Sequence, residues 1–277
     1  METPVKYVPL EGRRIAYREA GSGPVLLFLH GLGGNSASWQ PQFDAFSNSH
    51  RVVAWDMPGF GGSDLLAVPS PATRDFSGLA RRFMDELDIG HAVGVGTSFG
   101  TVILADLAQA HPERVRAMVF ACGVTGLGHL EPQERSRLRS VRRAELESMG
   151  QRKFAELRNS TYVAKGTPEA LVQRVVELAG SAQPEGYLAA YGALTESNIF
   201  PSLAKIDVPA LVIAGANDPI APARDCERVS HALSQAEYHC VANTGHYVNL
   251  EQTDIFNRLL GAFLSRVEAA APAGSVR

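Results

Sequence analysis

Short apolar runs alternate with segments of helical periodicity along most of the chain, and this alternation constrains the fold more than any other feature. Residues 25–30 are almost wholly apolar, as expected of a strand buried on both faces of a sheet. Residues 73–87 instead place Leu79, Phe83 and Leu87 on one helical face. Repeated pairs of this kind are typical of βα units, so we predict an α/β fold with a mostly parallel sheet flanked by helices. The predicted strands are residues 6–10, 14–19, 25–30, 51–55, 92–97, 115–121, 210–214 and 237–241.

A long helical stretch interrupts the alternation in the second half of the chain. Between residues 125 and 204 the strand pattern disappears, and glycines and prolines separate successive helical segments. We therefore predict a first part of the α/β core over residues 1–124, a helical insertion over 125–204 and a second part of the core over 205–266. The Ala-, Pro- and Gly-rich residues 267–277 are expected to be a disordered tail.

Composition excludes several kinds of partner. With 277 residues, 45% of them hydrophobic, the chain can fill one large core. A formal net charge of −3 provides no field that would gather nucleic acid or an anionic membrane surface. We expect a small-molecule substrate, no nucleic-acid or membrane partner, and either a monomer or a homodimer.

The cysteines and the N-terminus predict the cellular location. Cys122, Cys226 and Cys240 cannot all pair with one another, and their wide spacing fits neither a disulfide framework nor a zinc site. They are interpreted as reduced thiols. No signal-peptide core follows the N-terminus, and no apolar run approaches the roughly 20 residues that span a bilayer. A cytoplasmic protein is therefore expected.

The clearest chemical motif is G-x-S-x-G over residues 96–100, between a predicted strand and a predicted helix. A strand-to-helix turn of this kind is tight and strains the backbone of its serine, so small residues are needed at Gly96 and Gly100. The turn pushes Ser98 out above the sheet, at the positive end of the following helix. We interpret Ser98 as a nucleophile.

Two phosphate-binding loops are the alternatives for the glycine-rich segments. A dinucleotide-binding loop also opens a helix after a strand, but the spacing here is not G-x-G-x-x-G. The acidic residue expected about 20 positions further on is also missing, since the chain there reads Phe120, Ala121, Cys122. A P-loop is excluded at residues 30–34 because no Lys and Ser/Thr pair follows the glycines.

The segment His30-Gly31-Leu32-Gly33-Gly34 follows an apolar strand at the edge where ligands bind in open α/β sheets. An oxyanion hole needs two backbone N–H groups that converge on one point, and we expect Leu32 and Phe99 to supply them. His30 is interpreted as positioning this loop, because a better-placed base occurs later in the chain.

Two later loops supply an acid and a base in the chain order Ser, Asp, His that such a serine requires. Asp218 lies on a turn just after the strand predicted at 210–214, and His246 lies one loop later, after the last predicted strand. Asp207 and Asp225 are less well placed, before that strand and within the next helix.

These three residues predict nucleophilic catalysis. A neutral His246 takes the proton of Ser98, and the Asp218 carboxylate fixes the imidazole tautomer. Attack on a carbonyl then forms an acyl-enzyme that water hydrolyses. No residue cluster in the sequence suggests a catalytic metal, and no cofactor is expected.

The motifs at residues 30–34, 56–61, 96–100 and 245–246 resemble the α/β-hydrolase superfamily. Residues 111–115, 184–187, 208–215 and 246–252 are similar to the 3-oxoadipate enol-lactonase and carboxylesterase group. The resemblance implies an α/β-hydrolase fold with an eight-stranded sheet, a lid after the sixth strand, and hydrolysis of a small ester or lactone. Because the form of residues 56–61 also occurs in carbon–carbon bond hydrolases of ring-cleavage products, that reaction is an alternative. A non-catalytic ligand-binding or receptor protein on the same scaffold is another.

The helical insertion corresponds to the lid of this superfamily, which shapes the pocket and excludes water. Its basic residues provide a surface for an anionic substrate, whereas the interspersed glutamates favour a solvated helix face. Cys122, just past a strand, either lines the pocket or is a buried inert thiol. The basic residues are Arg135, Arg137, Arg139, Arg142 and Arg143.

Overall fold

A single eight-stranded sheet forms the centre of the molecule in the computed structural model, which describes residues 2–270. The strands are β1 (Val5–Leu10), β2 (Arg13–Ala20), β3 (Val25–Leu29), β4 (Arg51–Trp55), β5 (Ala92–Ser98), β6 (Val115–Gly123), β7 (Ala210–Gly215) and β8 (Ala236–Val241). Their spatial order is β1-β2-β4-β3-β5-β6-β7-β8. The β1–β2 and β2–β4 pairs are antiparallel, and all the other pairs are parallel. The predicted fold class is confirmed.

Helices cover both faces of this sheet. They are α1 (Gln40–Phe46), α2 (Thr73–Glu86), α3 (Phe99–Ala110), α4 (Pro132–Asn159), α5 (Glu169–Gly180), α6 (Pro184–Glu196), α7 (Phe200–Leu203), α8 (Ala223–Ala232), α9 (Val248–Glu251) and α10 (Thr253–Ala269). Short 3₁₀ turns, Ser36–Trp39 and Pro112–Arg114, precede α1 and β6.

The sheet divides the apolar core into two layers because successive residues of a strand point to opposite faces. Leu27 and Leu29 of β3 belong to the layer that contains side chains of α2, α3 and α8, whereas Leu26 and Phe28 belong to the layer that contains side chains of α1 and α10. The strand ends that hold the predicted site therefore lie on a scaffold buried from both sides.

Helices α4 to α7 all lie between β6 and β7, within the interval predicted for the insertion. Helix α4 contains Gly150, whose φ of 73° is not helical, so two helices meet there at a kink. Helix α6 packs against α2 of the core as well as against α4. The insertion is thus joined to the core by packing as well as by its two chain crossings.

The predicted start of the disordered tail is wrong. Helix α10 continues to Ala269, and Val267 is buried among core side chains because it lies one helical turn after Phe263. The rest of the predicted tail, residues 271–277, lies outside the described residues. Throughout residues 2–270, no helix has both the length and the apolar character that crossing a bilayer requires.

Candidate active site

Ser98 occupies a strained turn between β5 and α3. Its φ of 51° and ψ of −122° fall in a region that residues with a side chain rarely adopt. The surrounding backbone is close: a Cβ on Gly96 would lie 2.7 Å from the carbonyl carbon of Gly100, and a Cβ on Gly100 would collide with the carbonyl oxygen of Leu29. The glycines of the motif therefore allow α3 to pack directly onto the strand ends, which holds Ser98 at the sheet edge.

Asp218 and His246 form a buried pair on the loops that follow β7 and β8. His246 Nδ1 lies 2.7 Å from Asp218 Oδ2. The other carboxylate oxygen, Oδ1, accepts the backbone N–H groups of Ile220 and Ala221 at 2.7 and 3.0 Å. Because an ionised carboxylate only accepts hydrogen bonds, the imidazole donates from Nδ1, and its Nε2 keeps a lone pair.

A cavity of about 690 Å³ brings the two halves of the predicted site together. Ser98 and His246 both line it, as does Leu32 of the predicted oxyanion loop. Its size is that of a small-molecule site. The insertion contributes Arg142, Phe154, Arg158, Asn159, Tyr162, Tyr187, Tyr191 and Leu194 to the lining.

The oxyanion loop runs directly beside the serine. A Cβ on Gly31 would lie 2.5 Å from Ser98 Cβ and 3.1 Å from Ser98 Oγ. The side chain of Phe99 is fully buried and packs edge-to-face on Phe76, with ring centroids 5.6 Å apart. Phe99 can therefore serve an oxyanion only through its backbone N–H, at the first residue of α3, while Leu32 lies on the cavity itself.

His30 anchors this loop through both ring nitrogens. Nε2 accepts the backbone N–H of Met57 at 2.8 Å, and Nδ1 lies 2.8 Å from the carbonyl oxygen of Gly31, to which it donates. Burial lowers the pKa of His30, so the ring is neutral at pH 7, which suits an acceptor at Nε2. This geometry agrees with the interpretation of His30 as a loop-positioning residue.

The buried, neutral His30 should make the folded state sensitive to acid. Its pKa is lower in the folded chain than in the unfolded chain, so its contribution to stability is complete above about pH 6.5 and is lost as the pH falls below that value. We expect wild type to lose stability between pH 7 and 5 more steeply than His30→Asn, by at most about 1.4 kcal/mol per pH unit. Urea unfolding at several pH values measures this difference, and parallel curves for the two proteins would contradict it.

Cys122 lies beside the Asp218–His246 pair. The three side-chain atoms that could ligate a metal ion, one from each residue, are within 4.8 Å of one another. All three side chains form hydrogen bonds within the protein. Asp218 and His246 bond to each other, and the Cys122 thiol donates to the carbonyl oxygen of Gly245 at 3.5 Å. Burial raises the pKa of Cys122 well above that of an ordinary thiol, which keeps it protonated. Of the two alternatives for Cys122, the buried inert thiol fits, because this residue does not line the cavity.

Arg142 differs from the other arginines of the basic run. Its guanidinium lies 4.2 Å from the ring centroid of Tyr191 and donates to the hydroxyl of Tyr187, inside the cavity. The solvated-face interpretation therefore does not hold for Arg142, which lines the cavity. The other four do not line it, and each of them pairs with a glutamate of the insertion. Those pairs are Arg135–Glu196, Arg137–Glu134, Arg139–Glu196 and Arg143–Glu147.

A signal for the inward position of Arg142 is present in the sequence. Arg135, Arg139 and Arg142 follow the i, i+4, i+7 spacing of one helical face. The side chains of Arg135 and Arg142 are 17% and 15% exposed, whereas that of Arg137, on the opposite face, is 63% exposed. Helical periodicity separates the two faces, but it does not indicate which of them meets the cavity.

Two further cavity residues cannot be found from sequence spacing. The hydroxyl of Tyr247 donates to Asn159 Oδ1 at 2.5 Å, across 88 positions of the chain. Tyr247 follows His246 directly, and Asn159 ends helix α4. This bond joins the loop of the histidine to the insertion at the wall of the cavity.

A family model for the alpha/beta hydrolase fold matches residues 24–253. The chain belongs to the alpha/beta hydrolase fold family. The (E)-2-((N-methylformamido)methylene)succinate hydrolase of Acinetobacter baylyi is 27% identical to it over 262 residues, which is 94% of this chain and 97% of the relative. The 3-oxoadipate enol-lactonase 2 of the same organism is 29% identical over 247 residues, covering 88% of this chain and 89% of the relative.

The crystal structure of the enol-lactonase from Burkholderia xenovorans LB400 has a TM-score of 0.85 with this chain and is 24% identical, covering 94% of this chain and 100% of that one. At this identity the likeness shows the fold alone. The two hydrolase relatives confirm the resemblance to the enol-lactonase group, and with the family model they show that the chain is a hydrolase.

Proposed function

We propose that this protein is a serine hydrolase that cleaves a small carboxylic ester or lactone through an acyl-enzyme on Ser98. The observation that carries this proposal is the hydrogen-bonded Asp218–His246 pair at the cavity that also exposes the strained Ser98. An imidazole whose Nδ1 donates to a carboxylate has a lone pair at Nε2, which is what a general base for a serine hydroxyl needs.

The reaction begins when Ser98 Oγ bonds to the substrate carbonyl carbon while His246 Nε2 takes the hydroxyl proton. The carbonyl oxygen becomes an oxyanion, which the N–H groups of Leu32 and Phe99 stabilise. Collapse of this intermediate breaks the carbon–oxygen bond, and Nε2 gives its proton to the leaving oxygen. Water then attacks the acyl group, Nε2 takes a proton from it, and Ser98 leaves with that proton. In a lactone the released hydroxyl stays attached to the same acyl chain.

The charges on the insertion favour a substrate that carries a carboxylate besides the scissile group. Arg142 and Arg158 approach the same oxygen of Glu145, at 3.7 and 3.0 Å, so one carboxylate serves two guanidinium groups. Burial raises the pKa of Tyr187 to about 12, so this tyrosine stays neutral and does not cancel the charge of Arg142. The cavity therefore has an excess of positive charge on its insertion side. Both curated relatives are named for acids with two carboxyl groups, succinate and 3-oxoadipate.

Replacing Arg142 by methionine is expected to raise KM for a carboxylate-bearing ester by about 10- to 100-fold, because a charge-assisted hydrogen bond of about 1.5–3 kcal/mol is lost. A neutral ester of the same size should be hydrolysed with nearly unchanged KM. Arg143→Met is the matched control, since Arg143 lies on the exposed face and pairs with Glu147 at 3.4 Å. Equal losses of Arg142→Met on both esters would contradict the assigned role.

A substrate panel tests the proposed reaction directly. Purified protein is assayed with carboxylate-bearing and neutral esters, enol-lactones and ring-cleavage diketones, and mass spectrometry locates the adduct of a fluorophosphonate. We expect turnover of an ester or lactone and labelling at Ser98. Turnover of diketones alone would instead support the carbon–carbon bond hydrolase. Ligand binding without turnover or labelling would support the receptor alternative.

A further inference from the structure

The loop that carries His246 is held between the sheet and the insertion. On the sheet side, a Cβ on Gly215 of β7 would collide with the carbonyl oxygen of Gly245. On the insertion side, a Cβ on Gly245 would lie 2.7 Å from the backbone nitrogen of Ala164 and would collide with the carbonyl oxygen of Tyr162. That same Tyr162 oxygen accepts the N–H of His246 at 2.7 Å. The backbone of His246, the proposed general base, is thus in direct contact with the segment between α4 and α5.

One carboxylate joins these two segments. Glu251 Oε2 accepts the N–H groups of Gly245 at 2.9 Å and Ala164 at 2.7 Å, and Oε1 accepts the N–H of Tyr247 at 3.0 Å. Glu251 therefore binds the residues immediately before and after His246, together with one residue of the insertion. Within residues 2–270 it forms no ion pair with a lysine or arginine. The partners of its charge there are these three backbone N–H groups and the hydroxyl of Thr167, which lies 3.4 Å from Oε2.

We propose that Glu251 is a positioning residue, which sets the direction of the His246 imidazole and makes it depend on the docking of residues 162–164. This inference rests on the proposed function, because it assumes that His246 is the base for Ser98. The imidazole must meet Asp218 on one side and the serine on the other, and errors of about 1 Å in such geometry cost about 100-fold in rate. Three N–H groups on one side chain restrict the backbone of the loop in a way that packing of a glycine cannot.

The critical variant is Glu251→Gln, which keeps the shape of the side chain but replaces one acceptor oxygen by an NH₂ donor facing N–H groups. We expect kcat and the rate of fluorophosphonate labelling of Ser98 to fall by about 10- to 100-fold, with KM changed by less than about 3-fold, since substrate contacts are untouched. Glu251→Asp keeps the carboxylate and should recover part of the loss. It also serves as the second variant if Glu251→Gln does not fold.

The pH profile separates positioning from mere stabilisation. A looser Asp218–His246 bond makes the imidazolium less favourable, so the acid limb of the kcat/KM profile should move to lower pH in Glu251→Gln. Asp254→Asn is the matched control, because it removes an equal charge three residues away from an exposed position. This control should leave both the rate and the profile as in wild type.

The outcomes distinguish the two proposals. If wild type is not labelled at Ser98, the proposed function fails and this inference fails with it. If wild type is labelled and Glu251→Gln reacts at the same rate with the same pH profile, the positioning role alone is overturned, even where the variant melts at a lower temperature. An equal shift of the profile in Asp254→Asn would also overturn it, since the effect would then come from charge at a distance.

Discussion

Ser98→Ala is expected to lower kcat/KM on a short p-nitrophenyl ester by at least about 10⁴-fold, because no other group at this position can form the acyl-enzyme. The substitution removes only the hydroxyl. Alanine keeps the Cβ that lies beside Gly31 and meets the same backbone conformation, so the fold should be unchanged. Steady-state kinetics and thermal unfolding of the purified variant measure the two effects separately.

Ser148→Ala is the control for this substitution. Ser148 is exposed on α4, and its hydroxyl bonds to the carbonyl oxygen of Glu145 in the same helix. Its loss should leave both activity and labelling as in wild type. Turnover by Ser98→Ala at a rate close to that of wild type would exclude a nucleophilic role for Ser98 and would direct attention to a water-mediated reaction.

Asp218→Asn is expected to lower kcat by about 10⁴-fold while the geometry of the site is kept. The hydrogen bonds at Asp218 decide how the amide will be oriented. Because the N–H groups of Ile220 and Ala221 require an acceptor at the Oδ1 position, the NH₂ group must face His246. The imidazole then accepts at Nδ1 and is protonated at Nε2, which is the wrong tautomer for a base.

The control for the acid is Asp207→Asn. Asp207 bonds to Ser234 and Gln235 at the surface, at 3.1 and 2.8 Å, and does not line the cavity. The Asp207→Asn variant should therefore retain the activity of wild type. If Asp218→Asn remained fully active and another carboxylate proved essential, the assignment of the acid would be wrong. Asp225 is then the residue to test next, since it lines the cavity at the start of α8.

The cavity divides the expected roles between two parts of the chain. Residues at the strand ends, Ser98 and His246, carry the predicted chemistry, and the buried sheet holds them rigidly. Residues of the insertion, Arg142 among them, supply charge and shape on the other side. Glu251 is where the two parts meet, so changes in the insertion could affect the rate of chemistry as well as the choice of substrate.

Strands and helices of the core were predictable because their signals are local. The strand at residues 51–55 is predicted with the bounds that β4 has, and each of the eight predicted strands has its counterpart in the sheet. The end of the last helix was not predictable in this way, because an Ala-rich sequence is equally compatible with a helix and with a disordered tail. Burial of Val267 against Phe263 and its neighbours continues that helix, and burial is a tertiary property.

The fold class and the candidates Ser98, Asp218 and His246 follow from local patterns in the chain, because a turn that strains a serine and loops that follow strands are recognisable without the structure. The packing of separate elements was needed to show that Asp218 Oδ2 accepts the Nδ1–H of His246, that Arg142 alone of its basic run faces the cavity, and that Glu251 joins the histidine loop to the insertion. Helical periodicity specifies which residues share a face, but the packing of separate elements specifies what that face meets.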